Sequence, residues 1–195
     1  YKELAENPKV VAIGEIGLDY YYRPKTKKRL ELFKEKQKSA LFQQLKLAKE
    51  LNLAVVFHCR VAHKDLIAFL KENQGVRPEK AVAHGFVGNL SELQGYLNFG
   101  YSVGFNGIIF KKIEGINFEE NIKFIPLDRM VVETDAPYLS PPLPVKALTG
   151  MGQIGDRNEP LFLKYIVEEI ARIKNLSYEE VAEKTTENAR RLFNV

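Results

Sequence analysis

Two histidines and two carboxylates follow short apolar runs in this chain. Residues 10–13 lead to Glu15, 54–57 to His58, 81–83 to His84, and 130–132 to Asp135. Read as parallel strands, the four runs deliver all four groups to one rim of a sheet. Imidazole nitrogen and carboxylate oxygen are the usual ligands of borderline and hard divalent cations, so the set outlines a metal site. Taken singly, each residue has a plainer reading. A lone histidine at a strand end is commonly a core residue satisfied by hydrogen bonds. A glutamate between glycines is commonly a solvated turn residue, and an aspartate before Ala-Pro commonly initiates a turn.

The elements that must position these groups are legible in the hydrophobic pattern. Five strand candidates, 10–13, 54–57, 81–83, 101–105 and 130–132, are short and continuously apolar, as expected of strands buried on both faces of a parallel sheet. Leu30, Phe33, Leu41, Leu45, Ala48 and Leu51 recur at helical spacing before the second strand, and Leu66, Phe69 and Leu70 before the third. A stretch carrying Pro137, Pro141, Pro142, Pro144, Gly150, Gly152 and Gly155 excludes regular helix or central strand. Long loops of this kind are more often functional than idle. Two helices close the chain, at about 159–174 and 178–193, and Ser177 with Glu180 forms a capping-box start for the last.

Strands alternating with helices give an open doubly wound sheet or a closed barrel. An eight-stranded barrel draws its site from the carboxyl ends of several strands, whereas an open sheet concentrates it at one switch point. Four metal-type residues after four separate runs favour the barrel, although only five of its eight strands are visible. The expectation is an α/β chain with an incomplete TIM-type (β/α) barrel, residues 1–195 forming a single hydrolase domain.

Composition bounds the rest. The 195 residues are 45% hydrophobic, enough for a substantial core, and no apolar stretch approaches the roughly 20 residues that cross a bilayer. A single cysteine, Cys59, excludes an intrachain disulfide framework and fits a reducing, cytoplasmic setting. The net charge of +4 accommodates a phosphate-bearing substrate without demanding one. Residue 1 is Tyr, and 1–7 reads as the last turns of a helix entering a strand, as though the chain began in mid-fold.

Five segments carry a resemblance: Gly-Glu-Ile-Gly-Leu-Asp-Tyr at 14–20, His-Cys-Arg at 58–60, His-Gly-Phe at 84–86, Glu-Thr-Asp-Ala-Pro-Tyr-Leu at 133–139 and Arg-Asn-Glu-Pro at 157–160. In order and spacing they resemble the TatD-type metal-dependent deoxyribonucleases, over the whole chain. The resemblance implies a TIM barrel of the amidohydrolase superfamily that hydrolyses DNA phosphodiesters with one or two divalent ions, Mg, Mn or Zn. It also implies roles. Glu15 bridges two metals, His58 and His84 bind one of them, and Asp135 binds the other and assists the attacking water. Many small-molecule hydrolases of that superfamily use a carboxylated lysine as the bridge, so Glu15 favours the nuclease branch.

The family's His-x-His pair on its first strand has no counterpart here. The expectation is that the first two βα units lie outside this chain, that Glu15, His58 and His84 keep one metal position, and that catalysis by this chain alone is impaired. The competing readings are a small-molecule amide or ester hydrolase, and an inactive binding fragment that dimerises through exposed barrel edges. An iron oxygenase using two His and one carboxylate is remote.

Softer assignments follow from position. Arg60, two residues beyond His58, faces the same side and serves either a scissile phosphate or a surface salt bridge. Glu133 shares a face with Asp135 and either orients a metal ligand or pairs with an arginine. Arg157 and Glu159 are expected to anchor the long loop, with Arg157 also a phosphate candidate. Asp19 lies at the rim with Tyr20, Tyr21 and Tyr22, tyrosines that stack on bases or, the favoured reading, pack under a loop. His63 reads as a surface histidine, Cys59 as buried and inert, and Lys25, Lys27, Lys28 and Arg29 as a solvated face.

Overall fold

A computed structural model describes residues 2–142 and 157–195. Tyr1 and the loop positions Pro144, Gly150, Gly152 and Gly155 lie outside the described residues. After a single helical turn, α1 (Lys2–Ala5), the chain alternates β1 (Ala12–Asp19), α2 (Lys27–Glu50), β2 (Ala54–Arg60), α3 (His63–Glu72), β3 (Ala81–Ala83), α4 (Leu90–Leu97), β4 (Ser102–Phe105), α5 (Phe118–Phe124) and β5 (Met130–Val132). Two helices, α6 (Leu163–Lys174) and α7 (Tyr178–Phe193), complete it.

All five strands are parallel and lie in sequence order, β1-β2-β3-β4-β5. A doubly wound sheet reverses direction at a switch point, and this one does not. The order is that of consecutive barrel strands, and among the described residues β1 and β5 do not pair, so the sheet is open.

Strand alternation explains where the core ends and the site begins. One face carries Val55, Phe57, Ala81, Ala83, Val103, Phe105 and Met130, buried beneath Leu41 and Leu45 of α2, Leu66 and Leu70 of α3, Leu93 and Tyr96 of α4, and Ile166 and Ile170 of α6. The other face starts apolar, with Ala54, Val82 and Val131 packed against Leu192 of α7. Followed toward the carboxyl ends, that same face continues as His58 and Arg60, as His84, and as Glu133 and Asp135.

The observed β1 and β2 run further than the apolar runs indicated. Strand pairing continues through Ile16 with Phe57, Gly17 with His58, Leu18 with Cys59 and Asp19 with Arg60. Beyond the continuous run the pattern becomes alternating, with Ile16, Leu18 and Cys59 buried and the residues between them facing the open rim. Glu15 and His58 are therefore strand residues rather than loop residues. Gly17 is required by this pairing, because a Cβ there would lie 1.8 Å from the carbonyl oxygen of His58.

The capping box at the start of α7 is present. Ser177 Oγ accepts from the Glu180 amide at 3.1 Å and Glu180 Oε2 accepts from the Ser177 amide at 2.8 Å. A second box, Asn89 with Glu92, starts α4.

Candidate metal centre

Three adjacent strands supply three donors. The β1–β2 register shifts between Gly14 and Ile16, leaving Glu15 as the extra residue, and such a bulge re-aims a side chain. His58 stands on β2, and His84 immediately follows β3, its amide donating to the Phe57 carbonyl at 3.0 Å. Neighbouring strands lie about 5 Å apart, so side chains leaving one face side by side converge. One ligand atom each from Glu15, His58 and His84 lies within 4.8 Å of the others.

The two rings share Glu15 and differ in what stands behind them. His58 Nδ1 is 3.4 Å and His84 Nε2 is 3.0 Å from Glu15 Oε2. On the far side of each ring stands another carboxylate, Asp19 Oδ2 at 3.2 Å from His58 Nε2 and Glu133 Oε1 at 3.3 Å from His84 Nδ1. In a neutral imidazole the N–H points to its carboxylate, which leaves a lone pair on the nitrogen facing Glu15. Two lone pairs and a carboxylate oxygen aimed at one another repel unless a cation sits among them. A proton or a metal ion satisfies that demand, and three mixed N/O donors at this spacing fit a divalent ion with positions left for water and substrate.

Electrostatics point the same way. Burial lowers the pKa of His84, but its hydrogen bond to Glu133 and the charges of Glu133, Glu15 and Asp135 outweigh burial and raise it to about 9. Asp135 is shifted upward, by burial first and by the charges of Glu133 and Glu15, with the two histidines opposing. Four acids, Glu15, Asp19, Glu133 and Asp135, thus surround two imidazoles.

The supports of the far carboxylates differ. Glu133 accepts from the Gly85 amide and from Asn106 Nδ2 at 3.4 Å, and Asn106 is fully buried with its Oδ1 receiving the Ile108 amide at 3.0 Å. Gly85 takes φ +51°, a left-handed conformation suited to glycine. Apart from His58, the Asp19 carboxylate accepts only the Tyr21 amide among the described residues, at 2.8 Å on Oδ1, and it stands at the strand's exposed end.

Asp135 lies outside the three-donor cluster but lines the same cavity, of about 1040 Å³, together with His58, His84, Arg60, Tyr21 and Tyr138. Its backbone has φ +59°, a conformation aspartate tolerates better than most residues. The Arg60 guanidinium lies 3.5 Å from the centroid of the Tyr21 ring and makes no ion pair among the described residues. Glu133 pairs with His84 rather than with any described arginine. Arg157 is exposed and does not line the cavity.

Three residues depart from expectation or were passed over. His63 is a buried brace, not a surface histidine: its Nδ1 meets Tyr96 Oη at 2.8 Å and its Nε2 the Val87 carbonyl at 3.1 Å, joining the start of α3 to the segment after His84. Among the described residues, Asn158 anchors the 157–160 segment to the segment after β5. Fully buried, it donates from Nδ2 to the carbonyls of Thr134 at 2.6 Å and Tyr138 at 2.7 Å, while its amide donates to Pro137 at 2.9 Å. The third is Asp19, which stands at the rim as expected but there backs His58, a partner not expected of it. Cys59 is buried, and burial pushes its thiol up to about 12.

A sheet of barrel order with a His₂-carboxylate cluster at its carboxyl rim is the arrangement of a metal-dependent hydrolase. Comparison with known proteins narrows the class. The family model described as TatD related DNase matches residues 1–194, and the chain belongs to that family. It is 38% identical over 195 residues to an uncharacterized metal-dependent hydrolase, YabD, of Bacillus subtilis, covering 100% of this chain and 69% of that one. It is 41% identical over 196 residues to the 3'-5' ssDNA/RNA exonuclease TatD of Pantoea vagans, covering 98% and 69% respectively. The crystal structure of YJJV, a TatD homologue from Escherichia coli, superposes with a TM-score of 0.82 at 30% identity, covering 100% of this chain and 68% of that one. The fold is therefore the α/β fold of TatD structures, and Glu15, His58 and His84 are a candidate group for holding a divalent metal.

Proposed function

We propose that this chain hydrolyses phosphodiester bonds of single-stranded DNA or RNA, with Glu15, His58 and His84 holding a divalent ion, Mn, Mg or Zn. The observation that carries this reading is the pair of imidazole nitrogens aimed at Glu15, each backed by its own carboxylate. A bound divalent ion would supply Lewis acidity toward a phosphoryl oxygen and acidify water.

The chain's own groups supply the rest. Asp135, its carboxyl held above the ordinary range by burial, takes the proton of the attacking water. Arg60, its plane fixed against Tyr21 and its donors unclaimed by any described acid, binds the phosphate. Asp19 and Glu133 fix the imidazole tautomers. As the phosphorus–oxygen bond breaks, the leaving oxygen takes up a proton and becomes the hydroxyl end of one fragment, while the water oxygen stays on phosphorus as part of the phosphate end of the other.

The test is the release of nucleotides from an end-labelled single-stranded oligonucleotide in the presence of Mn²⁺. Hydrolysis that is abolished by chelator and by His84→Ala supports the reading. Hydrolysis that survives both, or turnover of an ester or lactone without turnover of DNA or RNA, contradicts it.

A further inference from the structure

Large aromatic side chains normally cover themselves in a fold, and Tyr20 does so, only 3% exposed and packed against Phe33 at 6.2 Å. The next two residues do the opposite. Tyr21 is 50% and Tyr22 82% exposed, their rings in edge contact at 4.7 Å and 89°. Across the same cavity Tyr138, in the segment after β5, is 70% exposed. Tyr21 and Tyr138 line the cavity that contains His58, His84 and Asp135.

Tyr21 is also held in place. Its amide is fixed by Asp19, the carboxylate behind His58, and its ring lies beneath Arg60, which emerges two residues beyond His58 on the same strand face. The metal centre, the phosphate-binding cation and an exposed aromatic ring are thus joined through three consecutive short contacts. Arg23 and Lys64 add positive charge to the lining.

We infer that Tyr21, seated against Arg60, is a stacking platform for an unpaired nucleobase adjacent to the phosphate at the metal centre. This rests on the phosphodiesterase reading above. Every base has a π face, so stacking is sequence-tolerant, and a paired duplex offers no free face to receive the ring. The platform therefore selects single strands. It resolves the two roles open to these tyrosines, with Tyr20 as packing and Tyr21 as contact surface.

The test compares binding of a phosphorothioate-linked thymidine pentamer, which is cut slowly, with an abasic pentamer of the same linkage and charge. The wild-type chain binds the thymidine strand about tenfold more tightly than the abasic one, within the usual range for one stacked base. Tyr21→Ala erases that preference, so that the variant binds the two strands equally. The chain contains no tryptophan, so Tyr21→Trp introduces a single indole, whose fluorescence is quenched by the thymidine strand and not by the abasic one. Equal binding of both strands by the wild type, or a preference that survives Tyr21→Ala, overturns the platform and leaves the phosphodiesterase reading standing. Binding of neither strand overturns both.

Discussion

The two histidines of the centre occupy unlike settings. His84 is the inner histidine, its side chain 12% exposed, backed by a glutamate that is itself held by the Gly85 amide and the buried Asn106. His58 is the outer histidine, 36% exposed, backed by an aspartate at the end of a strand. The inner half is built to hold geometry and charge. The outer half, which continues into Arg60 and Tyr21, faces whatever enters the cavity. A metal site that must also accept a substrate divides its labour in this way, with one side braced and one side open.

Removing what the halves share gives the largest expected effect. Glu15→Ala leaves both lone pairs without a carboxylate, and metal binding is lost together with at least about a thousandfold of hydrolytic activity, read by calorimetric titration and by turnover.

Next in size is pH. The folded-state pKa of His84, about 9, lies above its ordinary value of 6.5. Its protonation therefore stabilises the metal-free protein fully below about pH 6.5, and that contribution is lost as pH rises through 9. A metal ion needs the unprotonated ring, so metal affinity moves oppositely, falling by about tenfold per pH unit as pH drops below 9. Thermal melts of the metal-free protein should show a Tm that declines between pH 6.5 and 9, and Glu133→Gln should flatten that decline.

The comparison between the halves is sharpened by their backing carboxylates. Measured above pH 9, where protons no longer compete, Glu133→Gln is expected to weaken metal binding by about a hundredfold and Asp19→Asn by about tenfold, the upper and lower ends of what such partners contribute. Equal losses would remove the distinction between a braced and an open half.

Much of this centre was legible in the residues themselves. The runs ending at β3 and β5 coincide with the observed strands, because both are short, apolar throughout and buried on both faces. β1 and β2 did not announce their full length, since their carboxyl halves alternate in burial and carry polar groups on the open face. The bulge that re-aims Glu15 depends on pairing with β2 and has no local signal. His63 and Asn158 escaped for a related reason. Each is a polar residue whose burial is licensed by distant partners, Tyr96 for the first and the carbonyls of Thr134 and Tyr138 for the second. Asp19 was visible at the rim, but its contact with His58 joins residues 39 apart in sequence.

The central claim is that Glu15, His58 and His84 hold one divalent cation between them, and anomalous scattering from a crystal grown with Mn²⁺ tests it most directly. The expected peak lies about 2.0–2.3 Å from a Glu15 carboxylate oxygen, His58 Nδ1 and His84 Nε2, with Asp19 and Glu133 still on the far nitrogens. A crystal in which Mn²⁺ binds elsewhere, or binds either imidazole through the nitrogen now facing Asp19 or Glu133, contradicts it.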